Sequence, residues 1–137
     1  MSQSRQLAAI MFTDIVGYTA LMGEDAQKAF DLLKKNRAVQ RLLIEKFNGR
    51  WLKEISDGVL ACFPTATDPV YCAATIQKTF ENEPDLKLRI GIHEGEVVFE
   101  GDYVYGVGVN IASRLEPLAP ILVSCGNRPS VHHQNVI

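Results

Sequence analysis

The feature of this 137-residue sequence that most constrains its fold is a short apolar run, LAAIMFTDI, from Leu7 to Ile15. Its continuous apolar part is too short for the core of a signal peptide or for a helix that crosses a membrane. Polar residues before it and Gly17 after it predict a short buried β-strand. Asp14 lies near the end of this strand, and a buried carboxylate is costly unless it is paired or binds a metal. Asp14 therefore either marks the turn after the strand or has a chemical function there.

Two longer segments have the spacing of amphipathic helices. In Ala26 to Phe47 apolar residues recur near the helical period, and the acidic residues just before it suit a helix start. The Asn-Gly pair that follows is a common C-terminal stop. Ala66 to Phe80 predicts a second helix, and VNIASRLEPLA predicts a short third one.

The other patterned segments predict strands. RWLKEI and VLACF flank Ser-Asp-Gly, and Asp-Gly between apolar runs is a strong hairpin signal. LKLRIGIHEGEVVF predicts a pair of strands bent at Gly95, and ILVS predicts a last strand. The order strand, helix, strand, strand, helix, strand matches a ferredoxin-like, split βαβ sandwich of the α+β class, with helices on one face of an antiparallel sheet. We expect a single domain over residues 1–137, because no repeat or linker divides the chain.

Charge and cysteine content argue against several classes of function. The net charge is −2, from 14 basic and 16 acidic residues, and the sequence has no basic block. It therefore lacks an electrostatic footprint for nucleic acid and a polybasic patch for a membrane. Three cysteines without CxxC spacing favour a reducing, cytoplasmic compartment, and three scattered histidines do not suggest a zinc site.

Two aspartates are predicted to meet at one edge of the sheet. In the expected fold the first strand and the hairpin are neighbours, so Asp14 and Asp57 converge. Two nearby carboxylates repel each other and favour a divalent cation, and oxygen ligands favour Mg²⁺ or Mn²⁺. The backbone N–H groups that follow Asp14 enter a turn and a helix start, which suits phosphate binding. That turn comprises Ile15, Val16, Gly17, Tyr18 and Thr19.

Asn110 and Arg114 are four residues apart and therefore share one face of a helix. A guanidinium suits the charge that builds up on a phosphoryl group, and an asparagine can hold a sugar oxygen. An aspartate pair, a phosphate-binding turn and an arginine together are components of phosphoryl-transfer chemistry. Each residue alone is more often a turn, cap or surface residue, so the interpretation depends on their joint occurrence.

Four segments, in this order, resemble the class III adenylate/guanylate cyclases: FTDIVGYT, LKEISDGVLACF, LRIGIHEGEVV and GVNIASRLEPLA. The resemblance runs from about Leu7 to Ser124, and four motifs in order are far more specific than any one of them. It implies the class III cyclase fold and conversion of ATP to 3′,5′-cyclic AMP and pyrophosphate, in signal transduction. It also implies two metal ions per site, Mg²⁺ or Mn²⁺, and a homodimer whose active sites are shared between the chains.

The resemblance implies a role for each matching residue. Asp14 and Asp57 match the metal-binding aspartates of the family, and Ile15 matches its backbone-carbonyl metal ligand. Asn110 and Arg114 match the residues that orient the ribose and stabilise the transition state. In this family one chain contributes the aspartates, and the other contributes the asparagine, the arginine and the base-selecting residue.

Lys53 matches the position that selects the base. A lysine ammonium can donate to adenine N1, whereas guanine presents an N–H there, so the resemblance implies ATP as substrate. Adenine-type members carry an aspartate seven residues before the asparagine, where this sequence has Tyr103 with Asp102 adjacent. Either the loop is shifted by one residue and Asp102 binds the adenine amino group, or Lys53 alone selects the base.

The alternative function is a catalytically impaired cyclase-like module that dimerises or binds nucleotide and regulates a partner. Domains of the family continue through strands that deliver a phosphate-binding lysine, whereas no lysine follows Lys87 here. We therefore expect the C-terminal strands of the family's domain to be missing or altered in this chain.

Overall fold

The structure, a computed structural model, describes the backbone of residues 3–100, 103–105 and 123–125 and the side chains of residues 7–98. This part of the chain contains six strands and three helices. The strands are β1 (Gln3–Ile15), β2 (Arg50–Ile55), β3 (Gly58–Phe63), β4 (Leu88–Glu100), β5 (Tyr103–Tyr105) and β6 (Val123–Cys125). The helices are α1 (Tyr18–Glu24), α2 (Ala26–Lys46) and α3 (Thr67–Thr79).

The apolar run near the start of the chain is the central strand of the sheet. β1 pairs antiparallel with β3 on one side and with β4 on the other, which gives the order β2-β3-β1-β4-β5. β5 pairs antiparallel with the end of β4, and β6 pairs parallel with its first half. Both faces of β1 are buried from Ala8 to Thr13. This burial explains why its sequence is continuously apolar instead of alternating.

Two apolar clusters lie on opposite faces of the sheet. The larger one joins residues of α2 and α3, such as Leu33 and Ile76, to strand residues such as Met11. The smaller one contains Ile10 and Leu60, and its described members all come from strands. α2 and α3 therefore cover one face of the sheet, as expected for a ferredoxin-like α+β sandwich.

One strand differs from its prediction, because the expected bend at Gly95 does not occur. β4 pairs with β1 without interruption, and Gly95 lies opposite Ala8. The prediction was wrong because β1 begins at Gln3 instead of Leu7, so β1 and β4 are each 13 residues long and form one continuous ladder. The predicted helix in VNIASRLEPLA lies outside the described residues, and the predicted last strand overlaps β6.

The two long helices agree with their predictions to within about one residue at each end. Asp25 is the N-cap of α2, where its side chain accepts a hydrogen bond from the N–H of Lys28 at 3.1 Å. None of the helices in the described part of the chain has the length and apolar character that crossing a membrane requires.

Candidate functional site

The two predicted aspartates meet where β1 and the β2–β3 hairpin end. Asp57 lies in the two-residue turn closed by the pair Ile55–Gly58. Its Oδ2 accepts a hydrogen bond from the backbone N–H of Ile15 at 2.7 Å. Since Ile15 directly follows Asp14, this bond fastens the turn to the end of the central strand. The structure therefore places Asp57 beside the strand end that carries Asp14, and their joint role in a site stays a prediction.

Gly58 permits the close approach of the hairpin to β1. A Cβ at this position would lie 2.7 Å from the carbonyl oxygen of Thr13 and 2.9 Å from Cζ of Phe12. Such distances leave no room for a side chain. The glycine of the Asp-Gly pair is thus required by contact with β1, and this contact keeps Asp57 near the strand end.

An arginine that the sequence analysis missed pairs with Asp14. Arg89 lies opposite Asp14 in the β1–β4 register. Its Nε donates to Oδ1 at 3.1 Å and its Nη2 donates to Oδ2 at 2.9 Å. The Asp14 side chain is only 15% exposed, and a two-point ion pair offsets the cost of burying it. In the sequence, the only sign of this residue was a single charge within the apolar run LRIGI. Its pairing with Asp14 could not be predicted, because the pairing depends on the register between β1 and β4.

The turn after Asp14 is held by a hydrogen bond at Val16 and has free space around Gly17. The N–H of Val16 donates to the carbonyl oxygen of Lys87 at 2.8 Å. Gly17 has a φ of 75° and caps α1, whose first residues are Tyr18 and Thr19. A Cβ at Gly17 would meet no heavy atom within 4 Å, and a cavity of about 280 Å³ lies beside the turn. The space around Gly17 suits the approach of a ligand.

Lys53 lies on the same face of the sheet as Asp14. It is exposed and pairs with Leu60, which in turn pairs with Phe12. Because side chains alternate along a strand, Phe12 and Asp14 share the face opposite α2 and α3. Lys53 and Phe12 are separated by two strand spacings, about 10 Å. The base-selecting candidate Lys53 and Asp14 therefore lie on one face of the sheet, on different strands.

Three of the predicted site residues, Asn110, Arg114 and Asp102, lie outside the described residues. Tyr103, the residue at the family's aspartate position, begins β5, where its backbone pairs with that of Glu100.

The donor atoms at this edge suit a hard divalent cation. Among the described residues, no group of three His, Cys, Asp or Glu side chains could hold a metal by itself. Asp14, Asp57 and the carbonyl of Ile15 supply oxygen atoms only, and Mg²⁺ is typically held by one or two carboxylates together with substrate phosphates and water. Each carboxylate oxygen also has more than one acceptor site, so the existing hydrogen bonds leave capacity for a cation. The residues fit an ion that is bound together with a phosphate substrate.

Relatives with known names match most of the chain. A family model described as "Adenylate and Guanylate cyclase catalytic domain" matches residues 1–123. The putative adenylate cyclase 3 of Rhizobium meliloti (strain 1021) is 34% identical over 139 aligned positions, which cover 93% of this chain and 24% of that protein. An adenylate cyclase of Streptomyces coelicolor is 30% identical over 82% of this chain and 30% of that protein. The chain thus spans less than a third of the length of these two curated relatives.

A solved structure shares the fold. The crystal structure of an adenylate/guanylate cyclase/hydrolase from Silicibacter pomeroyi superimposes with a TM-score of 0.79 at 32% identity, over 90% of this chain and 77% of that one. The predicted class III cyclase fold is therefore confirmed.

Proposed function

Because this chain belongs to the adenylate and guanylate cyclase catalytic domain family, we propose that it is an adenylate cyclase. In this proposal it is a lyase that converts ATP to 3′,5′-cyclic AMP and pyrophosphate for intracellular signal transduction. It acts as a homodimer with two Mg²⁺ or Mn²⁺ ions in each site. The observation that carries the proposal is the 2.7 Å hydrogen bond from the Ile15 N–H to Asp57, which gathers the oxygen donors at one edge of the sheet.

Asp14, Asp57 and the carbonyl oxygen of Ile15 are the proposed metal ligands. When bound, the ions would lower the pKa of the ribose 3′-hydroxyl and neutralise charge on the pyrophosphate. Arg89 now donates to both oxygens of Asp14, so it must share or release this carboxylate in the loaded site. In this proposal its forked guanidinium then binds a phosphate of the substrate.

The other parts of the proposed site orient the nucleotide. In the turn after Asp14, the N–H groups of Ile15 and Val16 already donate to Asp57 and to Lys87. The proposed phosphate-binding N–H groups are therefore those of Gly17, Tyr18 and Thr19, which is supported by the open space around Gly17. Asn110 holds the ribose, and Arg114 stabilises the charge that develops in the transition state. These two assignments depend on the sequence motif NIASR.

The proposed substrate is ATP instead of GTP. The relatives from Rhizobium and Streptomyces are both named as adenylate cyclases, and Lys53 can donate a hydrogen bond to adenine N1. Asp102 is the proposed acceptor for the adenine amino group if the preceding loop is shifted by one residue. Otherwise Lys53 alone selects the base.

The proposed homodimer places a second copy against the sheet face that carries Asp14 and Lys53. The described helices α2 and α3 lie on the opposite face. Ile10 and Leu60 on the proposed face are already buried within one chain, so in this proposal the second copy contacts the part of that face near Asp14 and the exposed Lys53. One copy then supplies Asp14 and Asp57, and the other supplies Lys53, Asn110 and Arg114.

A cytoplasmic location is also part of the proposal. Cys62 and Cys72 are free, buried thiols. Burial raises the pKa of Cys62 to about 11 and the pKa of Cys72 to about 12. Such protonated thiols act as apolar core residues, and unpaired cysteines are typical of a reducing compartment.

The test is the formation of cyclic AMP from ATP by the purified chain in the presence of Mn²⁺. We expect product from the wild type and loss of most activity in Asp57→Asn, which removes one carboxylate charge with little change in shape. Nucleotide binding without product, at high enzyme and Mn²⁺ concentrations, would favour the regulatory module instead. Product from GTP but not from ATP would contradict the proposed base preference.

A further inference from the structure

We propose that Arg37 of α2 is a positioning residue for Asp57, an inference that rests on the proposed metal role of this aspartate. α2 forms hydrogen bonds with the residue immediately before each of the two aspartates. One of these residues is Thr13, which precedes Asp14. The other is Ser56, which precedes Asp57. A single helix thereby contacts both residues that precede the aspartates, Thr13 through its side chain and Ser56 through its backbone carbonyl.

The contact between α2 and β1 is a buried network of one hydroxyl and two amides. Gln40 Nε2 donates to Thr13 Oγ1 at 3.0 Å and to Asn36 Oδ1 at 2.8 Å. Thr13 Oγ1 lies 3.3 Å from Gln40 Oε1, to which it donates. All three side chains are fully buried. Because breaking such bonds away from water is costly, the network fixes α2 relative to β1 at the level of Asp14.

The contact between α2 and the hairpin is a clamp made by one guanidinium. Arg37 Nη2 donates to the carbonyl oxygen of Ser56 at 2.9 Å. Its Nη1 lies 3.2 Å from Glu54 Oε1. Arg37 therefore holds both the turn and the strand that leads into it.

The backbone at Ser56 needs this support. Its φ is 57°, in the left-handed region that residues other than glycine rarely adopt. Such conformations persist where the surrounding structure holds them. The Ser56 carbonyl belongs to the peptide unit that leads into Asp57, so its bond with Arg37 fixes the orientation from which the Asp57 side chain extends. Ile15 holds the carboxylate from the other side.

Loss of this clamp lowers the fraction of molecules in which the aspartates have the binding geometry. Apparent affinity falls in proportion to the fraction of the competent state. Loss of the Arg37 contacts is therefore expected to weaken binding of a metal-nucleotide complex, and not only to lower folding stability.

Arg41 provides a matched control. Its Nη2 lies 3.6 Å from Oε2 of the same Glu54, but its guanidinium packs over the ring of Trp51, 4.1 Å from the centroid. Arg37→Gln and Arg41→Gln each remove one charge from α2 and one partner of Glu54. Of the two, the Arg37 change removes the bond to Ser56.

The experiment measures binding of the Mn²⁺ complex of 3′-deoxy-ATP, which lacks the attacking hydroxyl, to the full chain by calorimetry. We expect Arg37→Gln to raise the dissociation constant about tenfold, within the range for loss of a group that orients a metal ligand. Arg41→Gln should leave it unchanged. Equal effects of the two variants on the dissociation constant would overturn the positioning role.

A second measurement uses neither metal nor nucleotide. Amide hydrogen exchange at Ile15 reports the hydrogen bond to Asp57, so we expect faster exchange in Arg37→Gln and unchanged exchange in Arg41→Gln. Unchanged exchange in Arg37→Gln would contradict the inference.

The outcomes also separate this inference from the proposed metal role of Asp57. If the wild type does not bind the Mn²⁺ complex, or if Asp57→Asn binds it equally well, the proposed metal role fails. The exchange rate at Ile15 still tests whether Arg37 positions Asp57. If Arg37→Gln does not fold, Arg37→Lys and Arg41→Lys are compared in the same two measurements.

Discussion

Asp14 illustrates how a carboxylate is accommodated at the end of a buried strand. The sequence predicted its position, because a charge within an apolar run is a local signal. It did not predict the pairing with Arg89, which is 75 residues away in the chain. This contact depends on the register of β1 and β4, and no local pattern determines that register. At the residue scale, local sequence therefore located the charge but not its counter-ion.

We expect Arg89→Gln to lower the free energy of unfolding by about 1–3 kcal/mol, the range for losing a hydrogen-bonded partner of a charged group. The reason is that Asp14, largely buried, loses both donors. Urea unfolding at neutral pH measures the effect. In an Asp14→Asn background the same change should cost less, because the two side chains act as a unit. Equal costs in both backgrounds would show that the ion pair does not stabilise the fold.

At the scale of elements, the C-terminus of α2 was predictable because its signal is local. The N–H of Gly49 donates to the carbonyl oxygen of Ile44 at 2.7 Å, and the N–H of Asn48 donates to that of Glu45 at 3.1 Å. Asn48 has a φ of 67°. This is a Schellman termination, which the Asn-Gly pair favours. By contrast, the continuity of β4 past Gly95 depends on the length of β1, a distant element.

Gly49 also has a packing role, which Gly49→Ala tests. A Cβ at this position would lie 2.5 Å from Cε2 of Phe63 and 2.8 Å from Cγ2 of Ile44. Phe63 is fully buried and cannot move into solvent. We expect a loss of about 1–3 kcal/mol in the free energy of unfolding, as for other overpacked cores.

Gly23→Ala is the control for this prediction. Gly23 lies in α1, and a Cβ there would meet no heavy atom within 4 Å. Alanine should be neutral or stabilise the chain by up to about 1 kcal/mol, because it favours helix more than glycine does. Thermal or urea unfolding compares the two variants, and equal stability of both would contradict the packing role of Gly49.

At the scale of the whole molecule, the order of elements followed from the sequence, and so did the placement of Asp57 beside the strand end that carries Asp14. Hydrophobic periodicity and turn signals determine the order, and a hairpin beside the first strand brings the aspartates together. The link from α2 to both aspartates did not follow, because Asn36 and Gln40 have no distinctive motif and become a buried network only when α2 packs on β1. The roles of Asn110, Arg114 and Asp102 stay predictions.

The proposal that two chains share each active site predicts how mixtures of inactive chains behave. In the proposed site, Asp14→Ala removes a metal ligand and Arg114→Ala removes the group that stabilises the transition state, so neither homodimer would have an intact site. Random pairing of equal amounts makes half of the dimers mixed, and each mixed dimer has one intact site of two. We therefore expect about a quarter of wild-type activity from a symmetric dimer, measured as cyclic AMP formed from ATP after subunit exchange.

The matched control mixes Asp14→Ala with Asp57→Ala. In the proposal both changes lie in the half of the site that one chain supplies, so each site in the mixed dimer would lack one aspartate and no activity should return. Native mass spectrometry establishes in both mixtures that mixed dimers have formed. If mixed dimers of Asp14→Ala and Arg114→Ala form but stay inactive, the two residues do not belong to complementary halves of one site. Recovery of activity in the control mixture would show instead that Asp14 and Asp57 of one site come from different chains. That result would disagree with the 2.7 Å hydrogen bond within one chain from the Ile15 N–H to Asp57.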